Sequence, residues 1–395
     1  MTEPIDGLQG WPPPALDPAG PFAGPVNTLS WALIAMAVSV FLVVMIALGV
    51  ALFGPRSWRR KIGGEKVLWT LGLAFPVVVL SILLVWGLSL TAQLSEEPQP
   101  GEMRVRVTGE MWWWRVAYLD PEGNEAFQDA NEVHIPVGQP VVFELEAADV
   151  IHSFWVPRLG GKMDMIPGRR NILRLQADEP GAYGGQCAEY CGGPHALMGL
   201  VVVAHTPEAF AAWRARQAAP SAGLLAPTGL PVSAGRQVFQ ASGCGACHTV
   251  NGTEANGQAG PDLSHVGSRR TLGAGILPNN QGTMAGWISD SQAIKPGNRM
   301  PAYPVLTGQQ LRDVSAYLES LERQRPRPRP ASTPTFTSAF RPGASGPRGR
   351  LKSWRRSGAV PRAGSGSPSS TTTTSASITS AQPCCSSCWR ASCRC

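Results

Sequence analysis

Residues 187–198 read C-A-E-Y-C-G-G-P-H-A-L-M. In one short loop punctuated by glycine and proline, Cys187, Cys191, His195 and Met198 supply two thiols, an imidazole and a thioether. Soft sulfur donors with imidazole select copper over hard cations, and they also admit zinc or iron. The spacing favours copper, because zinc sites usually take Cys and His without Met, whereas the weak, long thioether bond of Met198 suits an electron-transfer copper. Two thiolates this close can bridge a pair of metals and spread one electron over both, so geometry changes little on reduction. A disulfide is the other reading of a C-x-x-x-C outside the cytoplasm.

Working upstream, residues 101–205 alternate in short β-rich segments: M-R-V-R-V-T, W-W-W-R-V-A-Y, N-E-V-H-I-P-V, P-V-V-F-E-L-E, R-N-I-L-R-L-Q-A and G-L-V-V-V-A. Turn residues such as Pro121-Glu122-Gly123 and Val137-Gly138-Gln139 separate them. The pattern predicts a small all-β Greek-key sandwich or barrel, with the ligand loop between its last two strands as a rigid base. Trp112, Trp113 and Trp114 are expected on one strand, the middle ring facing away from its neighbours. His134, His205 and His265 have no ligand partners at motif spacing and are expected to be ordinary surface or sheet residues.

Downstream, Cys244, Cys247 and His248 in G-C-G-A-C-H-T form C-x-x-C-H, the attachment signal for a c-type haem. Both thiols add to the vinyl groups and the adjacent imidazole ligates the iron; a redox or zinc pair is the alternative. Gly260-Pro261-Asp262-Leu263 resembles the class I cytochrome c loop, whose proline carbonyl accepts a hydrogen bond from that imidazole and orients it. Met/His ligation raises the potential as an electron carrier needs. Met300 in N-R-M-P-A-Y is chosen as the sixth ligand over Met284, which is read as a core or loop residue. Thr307 with Gln310 makes a capping box, and Leu311, Val314, Leu318 and Leu321 an apolar helical stripe read as core. Ser233 is a candidate cap for the helix leading into the haem motif. The all-α haem domain is placed at residues 231–323.

Two apolar runs, Leu29 to Phe53 and Val67 to Thr91, lack any charge and exceed the roughly 20 residues needed to cross a bilayer. They predict a transmembrane hairpin over residues 29–91, with Pro76 bending the second helix. Arg56, Arg59, Arg60, Lys61 and Lys66 lie between the runs, whereas residues 1–28 carry three acids and no basic residue. The positive-inside rule then puts both termini and both domains outside the cytoplasm of a bacterial inner membrane. Cleavage of the first run as a signal peptide is the alternative. Thr206-Pro207-Glu208 looks like a helix start, the helix ending near Gln217, and the whole of residues 206–230 is helix and linker.

The 187–198 string, with D-V-I-H-S-F-W-V-P and K-M-D-M-I-P-G-R upstream, resembles subunit II of the haem-copper cytochrome c oxidases, here extended by a cytochrome c domain. The resemblance implies a cupredoxin-like fold carrying binuclear copper A. It further implies that His152, His195 and Met198 bind copper, Cys187 and Cys191 bridge, and Glu189 gives its backbone carbonyl. In the family the Glu189 side chain also reaches a magnesium at the subunit I interface, and an aromatic at the position of Trp112 accepts the incoming electron. Electrons would pass from cytochrome c or another membrane donor through haem c and copper A to subunit I, with subunit III a further partner. Oxygen is reduced on subunit I, so no catalytic residue is expected on this chain. Fusion makes one transfer intramolecular, at an effective concentration set by the linker. A nitrous-oxide-reducing enzyme would need a His-rich copper cluster that six His cannot supply. A quinol oxidase subunit lacks the copper ligands, and a membrane-tethered copper store has no use for C-x-x-C-H.

The net charge of +7 would suggest an acidic or nucleic-acid partner, but the tail is responsible. Residues 325–395 hold 12 of the 34 basic residues and none of the 27 acids, leaving 22 basic against 27 acidic residues elsewhere, or −5. No nucleic-acid partner is expected. Five of the nine Cys, Cys384, Cys385, Cys388, Cys393 and Cys395, sit there amid Arg-Pro, Ser and Thr runs that cannot bury a core. Residues 324–395 are therefore read as a disordered or out-of-frame tail. With G+C-rich codons, a one-base shift turns its end into an apolar peptide resembling the start of oxidase subunit I.

Overall fold

The computed structural model describes residues 13–95, 97–217, 219 and 230–321. The readings of the tail and of the linker before Leu230 lie outside these residues. Helix α1 (Gly24–Phe53) and a second helical run, Glu65–Leu94, are 30 residues each with no buried residue. At 1.5 Å per residue each is about 45 Å long, more than the ~30 Å of a hydrocarbon core. Hydroxyls inside them turn back onto their own helix, Ser39 Oγ to Ala35 O at 2.8 Å and Thr91 Oγ1 to Gly87 O at 2.9 Å. In an apolar surrounding this satisfies the donor locally. The short helix α2 (Arg56–Ile62) carries four of the five basic residues between the runs. The second run begins as α3 (Glu65–Trp69), widens into a π-turn over Thr70–Ala74 and continues as α4 (Phe75–Leu94). Pro76, in the first turn of α4, has no N–H to give to the preceding turn, and the ladder is re-spaced just upstream.

The sandwich has two five-stranded sheets. One orders β3 (Glu125–Ala130), β2 (Trp113–Leu119), β1 (Met103–Glu110), β5 (Val141–Ala147) and β8 (Asn171–Leu175). The other orders β4 (Glu132–Pro136), β10 (Gly199–His205), β9 (Gly181–Cys187), β6 (His152–Trp155) and β7 (Met163–Met165). The pairs β1/β5 and β4/β10 are parallel and the other ladders antiparallel. Alternation sends Val105, Val107, Val116, Phe143 and Leu145 into a shared core, while Arg104 and Arg106 stay outside beside the buried carboxylate of Glu144, at 3.2 and 3.3 Å. The β1–β2 register ends at Glu110↔Trp113, so Met111 and Trp112 form a two-residue connection. Trp112 therefore precedes the strand on which Trp113 and Trp114 stand, contrary to the expectation of three on one strand.

Helix α5 (Pro207–Gln217) starts as expected, the Ala209 amide donating to Thr206 Oγ1 at 3.3 Å. It lays Phe210 and Trp213 on the β4 edge, and this corrects the reading of the lone histidines. His134 is buried, stacked 4.3 Å from Trp213, with one ring nitrogen 2.7 Å from His205 Nε2 and the other 2.8 Å from Glu132 Oε1. His265 is buried as well. His134 and His205 do lie on strands, but α5 makes an interior of what the strand pattern left as a surface.

In the helical domain, α6 (Leu230–Ala241) is followed by the short ladder β11 (Thr271–Leu272) with β12 (Leu277–Pro278). Then come α7 (Gln281–Ser289), α8 (Ser291–Ile294) and α9 (Gly308–Ser320). Gly235 lets α6 and α9 meet, since a Cβ there would overlap the Asp313 carbonyl. Val314, Leu318 and Leu321 are buried with Phe239 and Tyr317, and the Thr307–Gln310 capping box forms in both directions. Ser233 lies inside α6 rather than at its cap, because the helix is already running at Leu230.

Candidate metal centre and haem cleft

The loop 188–198 joins β9 to its antiparallel neighbour β10, and its ends are pinned by the Cys187 amide on Met198 O at 2.9 Å. Gly192, with φ of +107°, turns the chain where an L side chain would be strained. Cys187 Sγ lies 3.7 Å from Cys191 Sγ, too far for a disulfide, and 3.2 Å from the Glu189 carbonyl oxygen. His195 Nδ1 is 3.5 Å and Met198 Sδ 3.9 Å from Cys191 Sγ, while His152 Nδ1, from β6, is 4.0 Å from Cys187 Sγ. The ligand atoms of His152, Cys187 and Cys191 all lie within 4.8 Å of one another, and the three residues are buried. The six residues named from the sequence thus converge, Glu189 by its carbonyl. Its exposed carboxylate accepts from the Tyr190 amide at 3.1 Å.

The electrostatics suit a cation. Hydrogen bonding from the Cys191 thiol, against burial and with help from His152, holds Cys187 well below the ordinary thiol range. The same hydrogen bond and burial push Cys191 up, so the pair shares one proton that a metal would displace. Burial works to lower His152, but Cys187 and Asp149 outweigh it and raise the imidazole. Asp149 Oδ1 meets His152 Nε2 at 2.9 Å, leaving Nδ1 to face the sulfurs, and the amides of Met111 and Val150 fix the carboxylate at 2.8 Å each. Gly109 leaves room for the ring, since a Cβ there would come within 2.8 Å of it. Soft, buried, convergent donors with an oriented imidazole fit a copper pair.

Cys244, Cys247 and His248 follow α6 after Gly243, whose φ of +72° ends the helix in the left-handed conformation. His248 Nδ1 donates to Pro261 O at 2.8 Å, and burial pushes this histidine's pKa down, so the ring stays neutral with Nε2 free to ligate. Gly260 stands against that ring, where a Cβ would come within 2.6 Å of Cε1. These groups line a cleft with Phe239, Leu318 and both candidate methionines in its walls. Met284 is buried in the core. Met300 is half-buried on a pinned loop, its amide donating to Asn298 Oδ1 at 2.9 Å and its carbonyl accepting from Ser291 Oγ and Gln292 Nε2 at 2.8 Å each. An apolar cleft with two thiols, a neutral oriented imidazole and a thioether fits haem c.

Trp112 lies between the two sites. Its Nε1 donates to Cys191 O at 2.8 Å, and its ring also lines the haem cleft. The helical domain is docked on the sandwich: Gly199 N bonds Ala274 O at 2.9 Å, Arg115 Nη2 bonds Gln258 O at 2.7 Å, and buried Arg269 meets buried Asp129 at 2.8 Å. The linker alone does not set the separation of the sites, as the sequence reading had it. That reading also missed Asp149, Lys295 and Arg299, whose Nη2 reaches Asp149 Oδ2 at 2.9 Å. Asp149, three residues before His152, carried the only local signal.

Residues 117–205 match the family described as cytochrome C oxidase subunit II, periplasmic domain, and residues 232–322 match cytochrome c. The chain is 37% identical over 325 residues to cytochrome c oxidase subunit 2 of Alkalihalophilus pseudofirmus, covering 78% of this chain and 90% of that one. It is 31% identical over 275 residues to the subunit of Bacillus sp. (strain PS3), covering 65% and 74%. The crystal structure of the periplasmic domain of subunit II of cytochrome oxidase of Bradyrhizobium japonicum aligns at 31% identity and a TM-score of 0.28, covering 30% of this chain and 95% of that one.

Proposed function

The chain belongs to the cytochrome c oxidase subunit II family and carries a cytochrome c domain; from that premise we propose that it relays electrons from a donor, through haem c and then copper A, to subunit I. When bound, each centre would supply one-electron chemistry. His152, Cys187, Cys191, His195, Met198 and the Glu189 carbonyl would hold the copper pair. Cys244 and Cys247 would attach the haem, and His248 and Met300 would hold its iron. Asp149 orients His152, Pro261 orients His248, and Trp112 is the electron-accepting point between the sites. The observation that carries this reading is the single indole that both hydrogen-bonds the Cys191 carbonyl and walls the haem cleft.

The chain is a membrane protein with two spans, a subunit of a haem-copper oxidase with subunit I as its partner. We further propose that both termini and both domains lie outside the cytoplasm, that the Glu189 carboxylate contributes to a magnesium site against subunit I, and that subunit III and a cytochrome c or another membrane donor complete the assembly. The basic α2 between the spans supports that orientation. The test is metal analysis with absorption and electron-resonance spectra of the purified full-length chain. The expected result is a copper pair sharing one unpaired electron together with low-spin c-type haem; one copper or none per chain after full reconstitution sinks the reading.

A further inference from the structure

Lys295, just past α8, is 2% exposed. Burying an ammonium is costly unless its protons are matched, and here three backbone carbonyls accept them: Trp112 O at 2.6 Å, Leu197 O at 2.8 Å and Gly273 O at 2.9 Å. Burial pushes its pKa down to about 7. The acceptors come from three separate places. Trp112 forms the β1–β2 connection, Leu197 precedes Met198 in the copper-ligand loop, and Gly273 belongs to the haem domain, as does Lys295 itself. Two residues on, a Cβ at Gly297 would meet the Trp112 ring at 3.6 Å, so the haem domain also lies against the indole. Met300 and Arg299 follow within the same loop, and the Arg299 guanidinium reaches the carboxylate that orients His152.

We propose that Lys295 is the positioning residue that seats the haem domain on Trp112 and the copper-ligand loop, so that the electron is passed from a fixed docked position rather than by a tethered domain in search of its target. This rests on the relay reading above. Fixed geometry is what a short transfer distance needs, and small misplacements at such a junction are costly.

The test uses the full-length chain in its assembled oxidase with both centres loaded. Lys295→Met keeps the stem and removes the three donors. The expected result is a fall of about tenfold or more in the light-triggered haem-to-copper rate. Hydrogen exchange at the Gly199 amide, which bonds Ala274 O across the junction, should be faster, with the absorption bands of both centres unchanged. A lysine that only adds stability would lower the melting temperature and leave rate and exchange at their original values, overturning the proposal. So would one that acts by its charge alone, changing the rate but not the exchange. If Lys295→Met does not accumulate, the exposed Arg299→Gln carries the same two readouts, with an expected loss of about threefold, and unchanged values overturn the proposal. Missing copper-pair or haem signals in the unaltered chain would instead overturn the relay reading.

Discussion

Asp149 does for His152 what the Pro261 carbonyl does for His248: each occupies one ring nitrogen and so decides where the other points. The arrangement makes Asp149 a residue whose loss should be felt at the metal. Asp149→Asn is expected to weaken copper retention by about 10- to 100-fold, the usual cost of losing a partner that orients a ligand. Competition against a copper chelator measures it, and an unchanged affinity would show that the loop alone orients His152. At this scale the sequence was most informative where donors share a loop: the string from Cys187 to Met198 and the C-x-x-C-H triplet needed no folding to be read. Lys295 and Arg299 were not legible, because their partners, Gly273 apart, lie 98 to 183 residues away and depend on how two domains meet. Carbonyl acceptors, moreover, leave no mark in a sequence.

Single elements show where pattern reading holds and where it fails. The Thr307–Gln310 box was visible and forms, so Thr307→Ala should cost about 1 kcal/mol in denaturant unfolding followed through the haem domain; an unchanged midpoint would mean packing alone fixes the start of the helix. Strands β3, β6, β7 and β9 escaped notice: β9 is G-A-Y-G-G-Q-C, β3 half polar, β7 three residues long, and β6 is absorbed in the ligand motif. Their pairing is imposed by neighbours rather than by propensity. Glu132 on β4 shows what such a setting does to a titrating group. Burial works to raise its pKa, but the hydrogen bond and charge of His134, helped by the Arg270 amide, hold it below the usual 4.5. A carboxyl depressed in the folded state contributes stability above its unfolded pKa and loses it as pH falls, because the unfolded chain binds more protons in that window. Unfolding free energy should therefore decline as pH drops below 4.5, and Glu132→Gln should flatten that part of the curve. An identical slope in the variant would remove Glu132 from the account.

For the molecule as a whole, composition was enough to mark two spans, a β-rich region and a helical haem-bearing region, since each has its own period and its own punctuation. What it could not give was their contact. The buried Arg269–Asp129 pair and the backbone bonds across the junction are shielded from solvent, so salt should barely reach them. Raising ionic strength from about 0.01 M to 1 M, which shortens the screening length from about 30 Å to 3 Å, should slow the intramolecular haem-to-copper rate by no more than about threefold, the loss expected from the exposed Arg299–Asp149 pair. A marked slowing would mean the domain is held by exposed charge after all.

One feature of the seated arrangement bears on how the protein is made. With the haem domain in place, Cys191 is 2% exposed and Met198 1%, and Trp112 is held beside them, its indole by the Cys191 carbonyl and its main-chain carbonyl by Lys295. Whatever delivers metal has no approach from that side once the junction closes. Approach is left to the part of the loop where Glu189 and Tyr190 are exposed and His195 is half-buried.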